Sequence, residues 1–243
     1  MIGALANFLD NASQKKLINT FEKMLELLNS PSELIRQSIC RVIPQLARFF
    51  EDKSRKFLDD HMKILKESQD DKDIRGSAYA VSGIIKGLGM SNMKDMDLLN
   101  TTHNHCFTKH ADPMRKISGL YLYETLTISL GKVFEMNVEK ILPDIILCIS
   151  DPKEHVRRAA TQANRTIMSR LSNHAIKQVL PIFLKGLYND NWRSKLASVE
   201  ALGNMAFCAP RQISGFLPHI VKGIREVLSD THEKVHEAAL QAI

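Results

Sequence analysis

The stretch DPKEHVRR, Asp151 to Arg158, sets the reading of the whole chain: a polar turn opened by Asp-Pro and followed by an apolar-basic pair, Val156-Arg157. The same arrangement recurs upstream at Ile35-Arg36, Ile74-Arg75 and Met114-Arg115, and downstream at Trp192-Arg193 and, with histidine, at Val235-His236. Successive pairs stand 39, 40, 42, 36 and 43 residues apart. The turn acids Asp71, Asp112, Asp151, Asp190 and Asp230 keep the same period, at 41, 39, 39 and 40. A fixed interval near 40 means one supersecondary unit repeated along the chain, each unit too small to bury its apolar face without its neighbours.

The unit is a pair of helices. Leu17, Ile18, Phe21, Met24, Leu25 and Leu28 follow helical spacing, and Ile35, Ile39, Val42, Ile43, Leu46 and Phe50 repeat it after a break at 29–33. Equivalent pairs are read at 55–67 with 72–88, 94–107 with 113–134, 137–149 with 152–171, 174–188 with 192–207, and 211–228 with 232 onward. Ser30-Pro31, Asp112-Pro113 and Asp151-Pro152 each place a capping residue before a proline suited to the first helical position. Pro143, Pro181 and Pro218 fall at one place in three successive first helices, where each is expected to kink or restart the helix. The sequence therefore predicts an all-α HEAT-repeat α-solenoid, a single array over 1–243 of about six helical hairpins. It opens in a second helix, Ile2 to Leu9, and ends without a stop signal, so the expectation is a piece of a longer solenoid.

Composition agrees. The 243 residues hold only 11 Gly and 8 Pro, and the 10 Phe, 4 Tyr and 1 Trp do not sit in alternating β-branched runs, which excludes a β-sandwich or barrel. With 44% apolar and 25% charged residues the chain is neither disordered nor membrane-like, and Asp144, Lys185 and Lys222 interrupt its most apolar segments. Met1 to Asp10 lacks the basic leader and cleavage site of a secretory signal. Cys40, Cys106, Cys148 and Cys208 lie too far apart in sequence for a zinc or redox motif, and read as reduced, mostly buried thiols of a cytoplasmic or nuclear protein. The net charge of +6 permits contact with nucleic acid or acidic proteins without demanding it.

No chemistry of catalysis emerges. His103, His105, Cys106 and His110 are the densest set of potential metal ligands, yet only Cys106 and His110 share a helical face at i, i+4, short of the four ligands of a structural zinc site. Gly131-Lys132 is followed by Val133, and Leu126 stands where a P-loop needs its first glycine. The glycines at 83, 87 and 89 miss the dinucleotide pattern and suit close packing or a helix end. Nothing places a Ser, His and Asp as a nucleophile with its base. Neither an enzyme nor a cofactor is expected, and no small-molecule substrate.

Binding is the remaining class. The repeated Arg36, Arg75, Arg115, Arg157 and Arg193 tempt one toward a basic ladder, but their fixed place beside core residues favours a structural role as an inter-repeat ladder, each bonded to a turn acid such as Asp151 or Asp190 of the same or the next repeat. Arg158 and Arg165, seven apart on the stripe opposite Val156, Ala159, Ala163 and Ile167, and Lys116 one repeat earlier are the candidate contacts for nucleic-acid phosphate or an acidic protein. Trp192 is expected to wedge between helices.

Four stretches carry a family resemblance: LLNSPSELIRQS at Leu27 to Ser38, AYAVSGIIKGLG at Ala78 to Gly89, SVEALGNMAFCAPRQIS at Ser198 to Ser214, and LSDTHEKV at Leu228 to Val235. In this order they resemble the central region of the general control nonderepressible translational activators, large HEAT-repeat proteins. The resemblance implies a cytoplasmic, non-enzymatic scaffold that binds stalled or collided ribosomes during amino-acid starvation and promotes activation of the initiation factor 2 alpha kinase. The matching region overlaps the part similar to the HEAT domain of fungal elongation factor 3, which implies ribosome contact and an ABC-family ATPase partner. The family's kinase-binding segment lies farther toward the C-terminus and finds no match here, so the kinase is expected to be reached through another part of the full-length protein. The alternative is a generic protein-interaction HEAT scaffold, of the nuclear transport receptor or phosphatase type.

Overall fold

A computed structural model describes residues 11–108, 111–208 and 210–243, and every regular element among them is helical. The chain forms two compact units, Met1–Leu130 and Gly131–Ile243. The expected helix at Ile2 to Leu9 lies outside the described residues.

The first unit contains α1 (Asn11–Leu27), α2 (Glu33–Phe49), α3 (Glu51–Glu67), α4 (Asp71–Leu88), α5 (Met90–Asp95), α6 (Leu98–Cys106) and α7 (Pro113–Leu130). The second helices α2, α4 and α7 pack side by side, with α3 against α4 and α6 against α7. Flanked in this way, α4 buries residues around most of its circumference, Ile74, Tyr79, Val81, Ile84 and Ile85 among them. Each such side chain contributes about 1.5–3 kcal/mol relative to exposure. Gly83 and Gly87 admit the close approach of α2: a Cβ on Gly87 would stand 2.6 Å from the Pro44 carbonyl oxygen and 2.7 Å from the Ala47 methyl. Gly89, at φ 98°, ends α4 in a conformation few other residues adopt. Where one helix was expected over 94–107 there are two, because Asp97 takes a left-handed φ of 44°, a region Asp tolerates better than most. The second helix of that pair stops at Leu130, short of the expected 134, since Gly131 turns at φ 57° into a 3₁₀ helix, Gly131–Asn137.

The second unit continues from that 3₁₀ helix with α8 (Val138–Ile149), α9 (Glu154–Met168), α10 (Asn173–Gly186), α11 (Trp192–Cys208), α12 (Pro210–Ile213), a short 3₁₀ turn at Ser214–Phe216, α13 (Leu217–Val227) and α14 (Glu233–Ala242). Helix α11 is the hub, packed on α8, α9, α10 and α14. The three aligned prolines behave differently from one another. At Pro218 the helix restarts as expected, after the 3₁₀ turn. Pro143 and Pro181 instead lie inside α8 and α10, where buried neighbours on both sides, Leu142 with Ile145 and Leu180 with Phe183, hold the helix through the missing bond.

Candidate interaction surfaces

Several of the repeating turn acids accept a bond within their own turn. Asp112, Asp151 and Asp230 each accept from the backbone N–H two residues on, at 3.0, 2.9 and 2.9 Å, as Asp70 and Asn191 do for Lys72 and Arg193. Of the three Asp/Ser-Pro pairs, Asp112-Pro113 starts its helix at the proline, whereas α2 and α9 begin two residues later behind Ser32 and Lys153. Asp190 is exposed, and Asn191 takes its expected place in the turn.

Arg36, Arg75 and Arg157 bond to acceptors other than these carboxylates. Arg157 Nη1 donates to the backbone carbonyls of Asp151 and Pro152, both at 2.9 Å, and Arg36 likewise reaches the Ser30 carbonyl six residues back. Arg157 thus bonds the main chain of the turn acid Asp151. Arg115 and Arg193 are exposed and do not serve as buried rungs; the Arg193 guanidinium lies 5.1 Å from the Trp192 ring centre, and Lys195 takes the inter-repeat acid, Asp230, at 2.7 Å.

Arg75 is the centre of a network the sequence does not announce. Its guanidinium lies 3.8 Å from Glu33 of α2 and 3.6 Å from Glu124 of α7, over the Tyr121 ring at 4.4 Å. The Tyr79 hydroxyl donates to Glu33, which also receives Arg36 at 2.7 Å; the Tyr121 hydroxyl donates to Asp71 at 2.8 Å. Burial works against the Arg75 charge, and Tyr121, Glu124 and Glu33 more than reverse it, so its proton is held more tightly than usual. Burial alone pushes the Glu33 carboxyl up, but bonds from Tyr79, Arg36 and Gln37 with the Arg75 charge bring it below the ordinary carboxylate value. One cation thus joins three consecutive second helices.

In the second unit α9, α11 and α14 line two adjoining depressions of about 400 and 420 Å³ that share Glu200, Ala238 and Gln241. One ends at Arg157, Arg193 and Trp192, whose ring stacks on His232 at 3.8 Å, so the tryptophan is wedged as expected. The other ends at Asn204, which accepts from Arg165 Nε at 2.9 Å. Burial pushes the Glu200 carboxyl up, against an opposing pull from Arg157.

Of the expected contact residues, Arg158 is the most open, its side chain 79% exposed and paired only with Glu154 of its own helix. Arg165 is also exposed, but its bond to Asn204 places it at the edge facing α11, not on a bare outer stripe. Lys116 is half-buried, the reverse of its neighbour Arg115. His105 Nε2 donates to the Lys66 carbonyl at 3.3 Å and Cys106 is buried; His110 lies outside the described residues. Among the described residues no three His, Cys, Asp or Glu side chains converge as a metal site would require. Cys40 and Cys148 are buried as well, and the Cys208 side chain lies outside those described. No helix among the described residues is long and apolar enough to cross a membrane.

Residues 74–243, paired helices from end to end, match the family of EF3 N-terminal HEAT repeats. The chain belongs to that family. The likeness of this EF3-type HEAT segment to the general control activators extends over its full length: it is 38% identical to the eIF-2-alpha kinase activator GCN1 of Dictyostelium discoideum and 36% identical to the stalled ribosome sensor GCN1 of Homo sapiens. All of this chain is covered in both, against 9% of either relative. Elongation factor 3 of Gonapodya prolifera is 30% identical over 133 residues, 54% of this chain and 12% of that protein.

Proposed function

We propose that the chain is a non-catalytic, cytoplasmic HEAT scaffold that contacts the ribosome in the response to starvation and ribosome collision. The observation that carries this reading is identity above a third, over the whole chain, with a stalled ribosome sensor and with an activator of the eIF-2-alpha kinase. In this reading Arg158, with Arg165 and Lys116, meets rRNA phosphate or an acidic ribosomal protein; the two arginines are exposed on one helix, α9, where cations bind polyanions at little cost in ordering. An ABC-family ATPase is a partner of the same assembly, and the kinase is engaged through other parts of the full-length protein. Pelleting with nuclease-generated disomes tests the contact. Arg158→Glu with Arg165→Glu should weaken pelleting and flatten its log-log salt dependence by about 1.5–2. Pelleting that is unchanged at every salt concentration removes these arginines from the contact, and equal indifference of the unaltered chain to disomes and monosomes overturns the reading.

A further inference from the structure

We propose that the groove lined by α9, α11 and α14 binds an extended peptide segment that presents a lysine or arginine to Glu200. The inference is independent of the ribosome contact at Arg158.

The first ground is shape. The two depressions share Glu200, Ala238 and Gln241, and so form one trough along α11 from Arg193 at one end to Asn204 at the other. Eleven residues of helix at 1.5 Å each make this roughly 16 Å. An extended chain advances about 3.3 Å per residue, so the trough accommodates about five residues. Each half, at about 400 Å³, falls within the range of ordinary binding clefts.

The second ground is chemistry. A docked helix already satisfies its backbone bonds and buries an apolar stripe, which calls for an apolar groove. This trough is polar: amides at Asn204 and Gln241, and charges of both signs. Side-chain amides offer one acceptor and two donors each, matching the free N–H and C=O groups of an extended segment. The Asn204 oxygen already accepts from Arg165, which leaves its NH₂ group to donate to a peptide carbonyl.

The third ground is Glu200. It stands at the junction of the two halves, half-buried, and Arg157 is the cation whose charge acts on it. Desolvation makes its ionised form costly there, and the influence of Arg157 does not offset that cost. A ligand cation at this point adds to the partial compensation by Arg157, with Glu237 lining the same wall. Cations also line the walls, Arg157, Arg193 and Lys234 in one half and Arg165 in the other, so the test includes a polyanion as competitor.

Trp192, the single tryptophan of the chain, lines one end of the trough and supplies the readout. Blocked heptapeptide libraries, randomised except for a fixed central Lys, Arg, Ala or Glu, are titrated into the chain while its fluorescence is followed. The Lys and Arg libraries should shift Trp192 emission with apparent Kd at least tenfold below that of the Glu library. Glu200→Gln should abolish this preference, and Asn204→Ala should weaken all four libraries. Lys177→Glu, on an exposed position of α10, should change nothing, and circular dichroism establishes that each variant is folded. Equal binding of the four libraries, a Lys preference that survives Glu200→Gln, no binding of any library, or displacement of the peptides by a twelve-nucleotide oligouridylate at a tenth of their concentration would each overturn the proposal.

Discussion

Replacing Arg75 with Met keeps an unbranched apolar stem and removes the guanidinium that α2, α4 and α7 share. Loss of one partner from a fully buried ion pair costs about 3–5 kcal/mol, because the other charge is stranded. Here the Arg75 side chain is 25% exposed and its separations from Glu33 and Glu124 are 3.8 and 3.6 Å, so solvent screens part of that penalty. Glu124 nevertheless is nearly enclosed, at 8% side-chain exposure. The discounted ionic loss is about 1.5–2 kcal/mol, and loss of the stacking on Tyr121 at 4.4 Å adds about 0.5–1 kcal/mol. The expected destabilisation of Arg75→Met is therefore about 2–3 kcal/mol, measured by urea unfolding followed by circular dichroism at constant m value. Arg158→Met, which removes an exposed pair within one helix, should cost no more than about 0.5 kcal/mol. Arg75→Lys should recover less than half, since a single ammonium does not fork between two carboxylates. In the cycle with Glu124→Gln the two losses should fail to add by about 1 kcal/mol. If Arg75→Met costs no more than Arg158→Met, or the cycle is additive, the network does not join the repeats.

The other expectations concern packing and protonation. Gly87→Ala should destabilise by about 1–3 kcal/mol despite the better helix propensity of alanine, because its methyl meets the Pro44 carbonyl; a raised melting temperature would show that α2 can withdraw. Asn164 is wholly buried with neither amide atom bonded, so Asn164→Leu should stabilise by about 1 kcal/mol; a loss would reveal a water held by that amide. Glu33 has its folded pKa lowered, so its stabilisation is present above the ordinary carboxylate pKa and is lost as pH falls through the folded value. The stability gap between the parent and Glu33→Gln should accordingly narrow in acid. Glu200 has the opposite sign: its raised folded pKa means that stability declines as pH rises from the ordinary carboxylate value through the folded one. Glu200→Gln should therefore melt higher than the parent at pH 7 and show no advantage in acid, and a lower melting temperature at pH 7 would refute the desolvation argument.

The sequence reading succeeded where a feature is local and repeated. A turn, its side-chain acceptor and the apolar face of the next helix lie within a dozen residues, so their recurrence near 40 exposes the paired helices directly. The close-packing role read for Gly83 and Gly87, and the helix end at Gly89, follow from the same local grammar. Contacts between repeats are another matter. Arg165 meets Asn204 39 residues on, and Tyr188 meets Glu226 38 on, but Arg75 reaches 42 residues back to Glu33 and 49 forward to Glu124. A stack of helices allows several partners within one period, and small differences in helix rotation choose among them.

That freedom explains why the arginine ladder is only partly regular. A shared position fixes where the backbone enters each helix, and hence that Arg36 and Arg157 can reach a carbonyl six residues back. It does not fix what surrounds the side chain. At Arg193 the adjacent tryptophan offers a ring face and Asn191 already takes the backbone N–H, and Lys195, two residues further on, makes the contact to the next repeat. Glu200 is illegible in the sequence for the same reason: within α11 it is one more glutamate on an amphipathic helix, and only the packing of α9 and α14 on either side leaves it half-buried, with burial outweighing the pull of Arg157. In such an array the residues that maintain the stack are those whose partners lie inside the turn or the adjacent helix, and a charge left unmatched by both is the place where a ligand supplies the partner.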